Sequence, residues 1–237
     1  FGMLANKQFP AASFIRSRKD FNYIEEPDIF HEIFGHTPLL ADPRFAGFSH
    51  AIGQAGLKAA KEDYSWLIRL YWFSIEFGLT VEDGVVKSLG SGLASSPTEL
   101  PWSASANGPE RRPFDVIDIL RTPYRIDIHQ PVYFVIERLD DLFAAAERDL
   151  MADIALGRKI ASIVAKRMAQ LMIDHGARPD AVTLTLGRYA TDDSGGAQGV
   201  VFIDGSEGAT VQLATCCRPI PGDAVFGYLG RGEGLTV

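Results

Sequence analysis

The chain is poor in cysteine, in positive charge and in unbroken hydrophobic runs, and each shortage excludes something. Its two cysteines, Cys216 and Cys217, are adjacent in 237 residues. Neighbouring cysteines seldom meet the geometry of a disulfide, so no disulfide framework is expected and a reducing cytoplasm is the expected compartment. Lys and Arg number 23 against 30 Asp and Glu, a net charge of -7, which argues against a nucleic-acid surface built on bulk charge. The longest apolar stretch, residues 66–79, is interrupted by Arg69, Ser74 and Glu76. It falls short of the ~18 apolar residues of a membrane span, so no membrane partner is expected. The chain start carries no signal-peptide pattern, and there is no internal repeat or low-complexity tract.

What is present suffices for one substantial core, or for one domain and a small module: 46% of the residues are hydrophobic. Aromatic residues, 15 Phe among them, lie mostly before residue 150. That part reads as mostly helical with long connections. Pro27-Asp28 opens an apolar-periodic helix over 29–40, which Pro43 ends. Helices follow over 45–57 and 63–79, the second apolar nearly all round and so a buried central helix. Gly84 is expected to begin a strand-like hairpin, and Gly90-Ser91-Gly92 to lead into a loop ending near Pro101. Residues 102–113 read as loop, 126–136 as extended and 140–156 as helix. Beyond that the pattern changes. An Ala/Lys/Arg/Ile helix over 152–173 lacks aromatics, and a break over 174–181 follows. Strands are then expected over 182–186, 199–203, 210–213 and 224–229, with a turn at 192–196. The expectation is an α+β chain: a mostly helical part over 1–150, a helical connector over 151–181, and a small β-rich module over 182–237.

His31-Glu-Ile-Phe-Gly-His36 places two imidazoles five residues apart. On an ideal helix that offset is about 140°, so both reach one ion only if the turn is distorted, and Gly35 is a plausible place for the distortion. Alone the pair also fits two ordinary histidines near a helix end. Glu76 lies in the apolar, aromatic segment 70–79, where an ionised carboxylate is costly unless paired or metal-bound. A salt bridge to an arginine such as Arg69 is the plain alternative. Together, two imidazoles and one buried carboxylate form the facial ligand set of non-haem Fe(II), although zinc also fits on ligand type.

Two segments carry a resemblance: Pro27-Asp-Ile-Phe-His-Glu-Ile-Phe-Gly-His-Thr-Pro-Leu39 and Tyr71-Trp-Phe-Ser-Ile-Glu-Phe-Gly-Leu79. With Leu4-Ala-Asn-Lys-Gln-Phe-Pro10, Asp42-Pro-Arg-Phe45, Gly90-Ser-Gly-Leu-Ala-Ser-Ser96 and Arg121-Thr-Pro-Tyr-Arg-Ile-Asp-Ile128, they resemble the bacterial phenylalanine 4-monooxygenases, which are tetrahydropterin-dependent aromatic amino acid hydroxylases. The resemblance covers residues 1 to about 150. It implies Fe(II) held by His31, His36 and Glu76, a tetrahydropterin cofactor, and O₂-dependent hydroxylation of phenylalanine to tyrosine. Arg16 matches the arginine that holds the substrate carboxylate, and Gly92 and Ser95 the loop that completes the amino acid pocket. Trp72 and Phe77 match aromatics around the substrate ring, and Glu32 the acidic residue beside the pterin. The plainer roles are a surface Arg16, a turn-forming Ser95 and core-packing aromatics. Phe1 falls downstream of the segment that the resemblance expects to form much of the pterin wall, so impaired turnover is expected.

The stretch Thr210-Val-Gln-Leu-Ala-Thr-Cys-Cys-Arg-Pro-Ile-Pro-Gly-Asp223 lies outside that pattern. With residues 152–157, 164–166 and 230–237 it resembles the carboxy-terminal regulatory region of RelA/SpoT-type alarmone enzymes. That resemblance implies contact with the ribosome or other proteins rather than catalysis. Two adjacent cysteines could contribute to a zinc site, though such a site normally takes four ligands. The rival to an oxygenase is therefore a regulatory, partner-binding fragment of a RelA/SpoT-type stringent-response protein fused to a hydroxylase remnant.

Overall fold

The computed structural model describes residues 1–22, 26–105, 108–124, 126 and 128–174, and four later strands at 184–187, 200–204, 210–214 and 233–235. The calls on 175–181, 192–196 and 224–229, and on Cys216 and Cys217, lie outside the described residues.

The helix expected over 29–40 forms in three pieces. Asp28 caps it, its carboxylate accepting from the His31 backbone N–H, as an N-cap residue should. An α-turn Ile29–His31 leads into a π-helical turn Glu32–His36, and α-geometry returns over Thr37–Leu40. Pro43 then starts the next helix, Pro43–Lys58, at the position that tolerates its missing N–H, with Asp42 as the cap.

The central helix is also composite. Residues Tyr64–Tyr71 are α-helical and Trp72–Glu76 form a second π-turn, closed by the Phe77 N–H on Trp72 O at 2.7 Å. The helix therefore stops at Glu76, short of the expected 79, because Leu79 already belongs to β1 (Leu79–Glu82). Leu67, Leu70, Phe73 and Ile75 from this helix form the core with Phe48, Ile52, Ile119, Phe134 and Leu142.

The expectation that Gly84 begins the hairpin is corrected. β1 precedes it, β2 (Val85–Ser88) follows, and Asp83 and Gly84 are the turn, with φ of 51° and 75°. Two successive positive-φ residues give the tight turn whose twist suits a hairpin. The loops expected after Gly90 and over 102–113 are also partly structured. Short helices span Ser91–Ala94 and Glu99–Ala104, and Glu110–Pro113 is β3. Glu-Arg-Arg-Pro carries no apolar alternation because β3 is an edge strand, paired in parallel with β4 (Val132–Ile136). The sheet order is β2-β1-β4-β3, with β1 and β4 parallel.

The single helix expected over 140–156 is two: Leu139–Ala145 and the start of Leu150–Asp174. The latter packs on the helix Val116–Arg121. Its Leu150 and Ile154 are buried in the core. Beyond it, β5 (Leu184–Gly187), β6 (Val200–Asp204), β7 (Thr210–Ala214) and β8 (Glu233–Leu235) form an antiparallel sheet in the order β7-β6-β5-β8. Three of these match expected strands within two residues; β8 was not foreseen. The chain is thus α+β. No helix among the described residues is long and apolar enough to cross a membrane.

Candidate metal centre

A five-residue spacing points two imidazoles about 140° apart on an α-helix. The π-turn Glu32–His36 removes that difficulty by widening the helix where the second histidine needs to come round. The Thr37 backbone N–H bonds Glu32 O across the turn, and Thr37 Oγ1 donates to the same carbonyl at 3.0 Å. Gly35 is required inside this turn, since a Cβ there would lie 2.7 Å from Ser91 Cβ and 2.9 Å from Ser91 O.

The outcome is convergence. His31 Nε2 lies 2.8 Å from His36 Nε2. Glu76, from the second π-turn, brings Oε1 to 3.1 Å of His36 Nε2 and Oε2 to 3.5 Å of His31 Nε2. Both histidines are buried. Burial holds the His31 imidazole below its ordinary value, with Glu76 opposing that shift, so the neutral form that can offer a lone pair to a metal is favoured. Arg69, the alternative partner for Glu76, is itself buried and donates to Leu120 O at 2.7 Å.

The outer nitrogens are also held. His31 Nδ1 is 2.8 Å from Ser95 Oγ, and His36 Nδ1 is 3.1 Å from Ser91 Oγ. Phe9 packs on the His36 ring, with centroids 4.5 Å apart. Glu32 brings a second carboxylate within 4.8 Å of both imidazoles. Its Oε1 accepts from the Ala12 N–H at 3.2 Å, while Oε2 is buried with no partner among the described residues.

These groups line a cavity of about 600 Å³. One wall is a stack of three rings. Trp72 lies between Phe77, at 4.4 Å, and Tyr124, at 4.2 Å. Gly92 lets the Phe77 ring approach, since a Cβ there would come within 2.6 Å of it. Arg16 also faces the cavity and is no surface residue: its side chain is 8% exposed. Its Nε and Nη2 make a fork to the two oxygens of Asp28, at 2.9 and 2.8 Å, and Nη1 donates to Ser95 O at 2.8 Å. These hydrogen bonds, Arg16's first among them, hold the Asp28 carboxyl well below the usual carboxylate range. A guanidinium has five N–H donors, so one hydrogen on each Nη stays available to a ligand.

The structure therefore places all the site residues expected from the sequence around one cavity: His31, His36, Glu76, Glu32, Arg16, Gly92, Ser95, Trp72 and Phe77. Sequence reasoning missed Asp28 as the partner of Arg16, and it missed Ser91, Phe9 and Tyr124. Asp28 was legible only as a helix start. Ser91 stood out only by sitting between two glycines.

Comparison with known proteins agrees with this geometry. Residues 1–155 match the family described as biopterin-dependent aromatic amino acid hydroxylase, and residues 201–237 match the RelA/SpoT RIS domain. Phenylalanine-4-hydroxylase of Vibrio cholerae is 49% identical over 152 residues, 64% of this chain and 53% of that protein. The apo structure of the cold active phenylalanine hydroxylase from Colwellia psychrerythraea superposes with a TM-score of 0.64 at 46% identity, covering 66% of this chain and 61% of the other. The Chromobacterium violaceum phenylalanine hydroxylase with bound oxidized Fe(III) gives 0.61 at 39% identity, covering 65% and 56%. The chain spans about half the length of the curated relatives it matches.

Proposed function

Because the chain belongs to the biopterin-dependent aromatic amino acid hydroxylases, we propose that it is an iron- and tetrahydropterin-dependent monooxygenase acting on the ring of phenylalanine to give tyrosine. The observation that carries the reading is the meeting of His31 Nε2, His36 Nε2 and both Glu76 oxygens on the wall of an aromatic-sided cavity. Two imidazoles and one carboxylate suit Fe(II) and leave coordination positions open. Glu76 is the better third ligand than Glu32, because its two oxygens face the ring nitrogens while one oxygen of Glu32 is engaged with Ala12.

Bound iron and tetrahydropterin together would supply the activation of O₂, a reaction no side chain performs. The chain's own residues bind and orient. Arg16, steadied by Asp28 and Ser95, offers its two remaining Nη hydrogens to the carboxylate of an amino acid. Trp72 and Phe77 give a flat apolar wall for the substrate ring, with Gly92 admitting Phe77. Glu32 Oε2 needs a donor, and a pterin N–H or a water beside the metal would supply one. The apolar lining limits water around the reacting ring.

We divide the chain into 1–150 as the catalytic part, 151–181 as connector and 182–237 as a regulatory module that contacts the ribosome or another protein. The match of 201–237 to a RelA/SpoT domain supports that last role. The adjacent cysteines favour the cytoplasm.

The test is elemental analysis together with product formation. The purified chain should hold about one Fe(II), and His31→Ala, His36→Ala or Glu76→Ala should each reduce it to a trace. Tyrosine should form from phenylalanine only with Fe(II), O₂ and a tetrahydropterin all present. Full iron content in His31→Ala would sink the ligand assignment.

A further inference from the structure

The segment Gly90-Ser91-Gly92 lies against both ligand-bearing turns. A Cβ on Gly90 would come within 2.1 Å of Glu76 O, and one on Gly35 within 2.7 Å of Ser91 Cβ. Ser91 is fully buried, and its Oγ lies 3.1 Å from Ile75 O and 3.1 Å from His36 Nδ1. A carbonyl oxygen only accepts, so the single hydroxyl proton of Ser91 goes to Ile75 O. What Oγ then presents to His36 is a lone pair, and Nδ1 must carry the hydrogen that fills it. A neutral imidazole has one N–H, so Nε2 is left with its lone pair free. Nε2 faces His31 Nε2, whose N–H can donate to that lone pair when no metal is bound, and the Glu76 carboxylate, which pulls toward the other tautomer. Turning the hydroxyl round to donate to Nδ1 would withdraw this donor from Ile75 O, at the end of the π-turn Trp72–Glu76, where carbonyls lack intrahelical partners.

We propose that Ser91 is a positioning residue. Its hydroxyl, anchored on the backbone of one ligand turn, holds His36 of the other turn in the Nδ1–H tautomer and presents Nε2 to a divalent metal. The inference rests on the metal reading above and deepens it. It assigns to Ser91 a role distinct from that of Ser95, which bonds the other histidine. Partners of this outer kind typically change metal affinity by 10–100-fold when removed.

Ser91→Ala removes the hydroxyl and keeps the Cβ on which Gly35 packs. Two measurements decide the matter. In the metal-free chain, nitrogen-15 NMR of the histidine rings should show the His36 hydrogen on Nδ1, and Ser91→Ala should lose that single tautomer. In Co(II) titrations, Ser91→Ala should bind at least about tenfold more weakly, with an unchanged circular dichroism spectrum, while His36→Ala should lose stoichiometric binding. An Nε2–H tautomer in the unaltered chain would overturn the proposal without any variant. So would wild-type Co(II) affinity in Ser91→Ala alongside lost binding in His36→Ala. Retained stoichiometric Co(II) in His36→Ala would instead remove His36 from the metal reading, and this assignment with it.

Discussion

The π-turns Glu32–His36 and Trp72–Glu76 each bring a ligand to the same point, yet their surroundings differ. The first turns one face to solvent, with Ile33 50% and Phe34 60% exposed, while Glu32, Gly35 and His36 are buried. The second is in the core, with Phe73 1% and Ile75 2% exposed. A π-turn is rarer than an α-turn and needs support from its context. In the core that support is mainly the apolar packing of Phe73 and Ile75, with the Ser91 hydroxyl on Ile75 O. In the half-exposed turn it comes from polar groups, most of them buried: the Asp28 cap with its Arg16 fork, the Thr37 hydroxyl across the turn, and Ser91 and Ser95 on the imidazoles. One backbone device is thus held in place by two kinds of force.

Four substitutions can break or sharpen that contrast. Phe73→Ala should destabilise the chain by about 3–5 kcal/mol, as for large aromatic truncations in a core. Phe34→Ala in the half-exposed turn should change stability by no more than ~0.5 kcal/mol. Equal effects of the two in urea unfolding would end the contrast. Next in size, Asp28→Asn should cost about 2 kcal/mol at neutral pH, the scale of hydrogen bonds to a charged group. Because the Asp28 carboxyl is held low in the folded chain, its contribution is complete above the unfolded value near ~3.9. It is lost as pH falls from there toward the folded value. The gap between parent and Asp28→Asn should therefore narrow only in acid. A gap constant down to pH 2 would show that charge is not what steadies the half-exposed turn. Smallest, Thr37→Val should cost about 1 kcal/mol by removing the hydroxyl bond to Glu32 O. No loss on thermal unfolding would mean the backbone bond alone closes the turn.

The ligand set was legible because its residue types are costly in an apolar segment unless they have a task, as Glu76 shows. Its geometry was only half legible. The five-residue spacing demanded a distortion and Gly35 marked the place, but the close approach that makes glycine necessary involves Ser91, 56 residues later in the chain. The core helices were legible from apolar spacing, since burial on one face writes a period into the sequence. β3 was not, because an edge strand of Glu-Arg-Arg-Pro writes none. The hairpin was misplaced by a few residues: Asp83-Gly84 reads as a turn only when 79–82 is seen as a strand rather than the last turn of a buried helix. Asp28 and Arg16 met only in three dimensions, twelve residues apart.

The helix Leu150–Asp174 continues past residue 155, where the hydroxylase match stops, and it does not leave the core there. Trp66 approaches Gly157 so closely that a Cβ would lie 2.9 Å from its ring. Arg158 donates to Glu62 O and Asp63 Oδ1 at 2.9 and 2.6 Å, and Ala161 is 8% exposed. Two more helical turns thus work as a buttress for the foot of the central helix. A protein cut at the family boundary would leave one face of Trp66 bare and Asp63 without this cation. The packing around the central helix thus runs on through Ala161, so the first part of the proposed connector is docked on the hydroxylase part in sequence that its family signature does not cover.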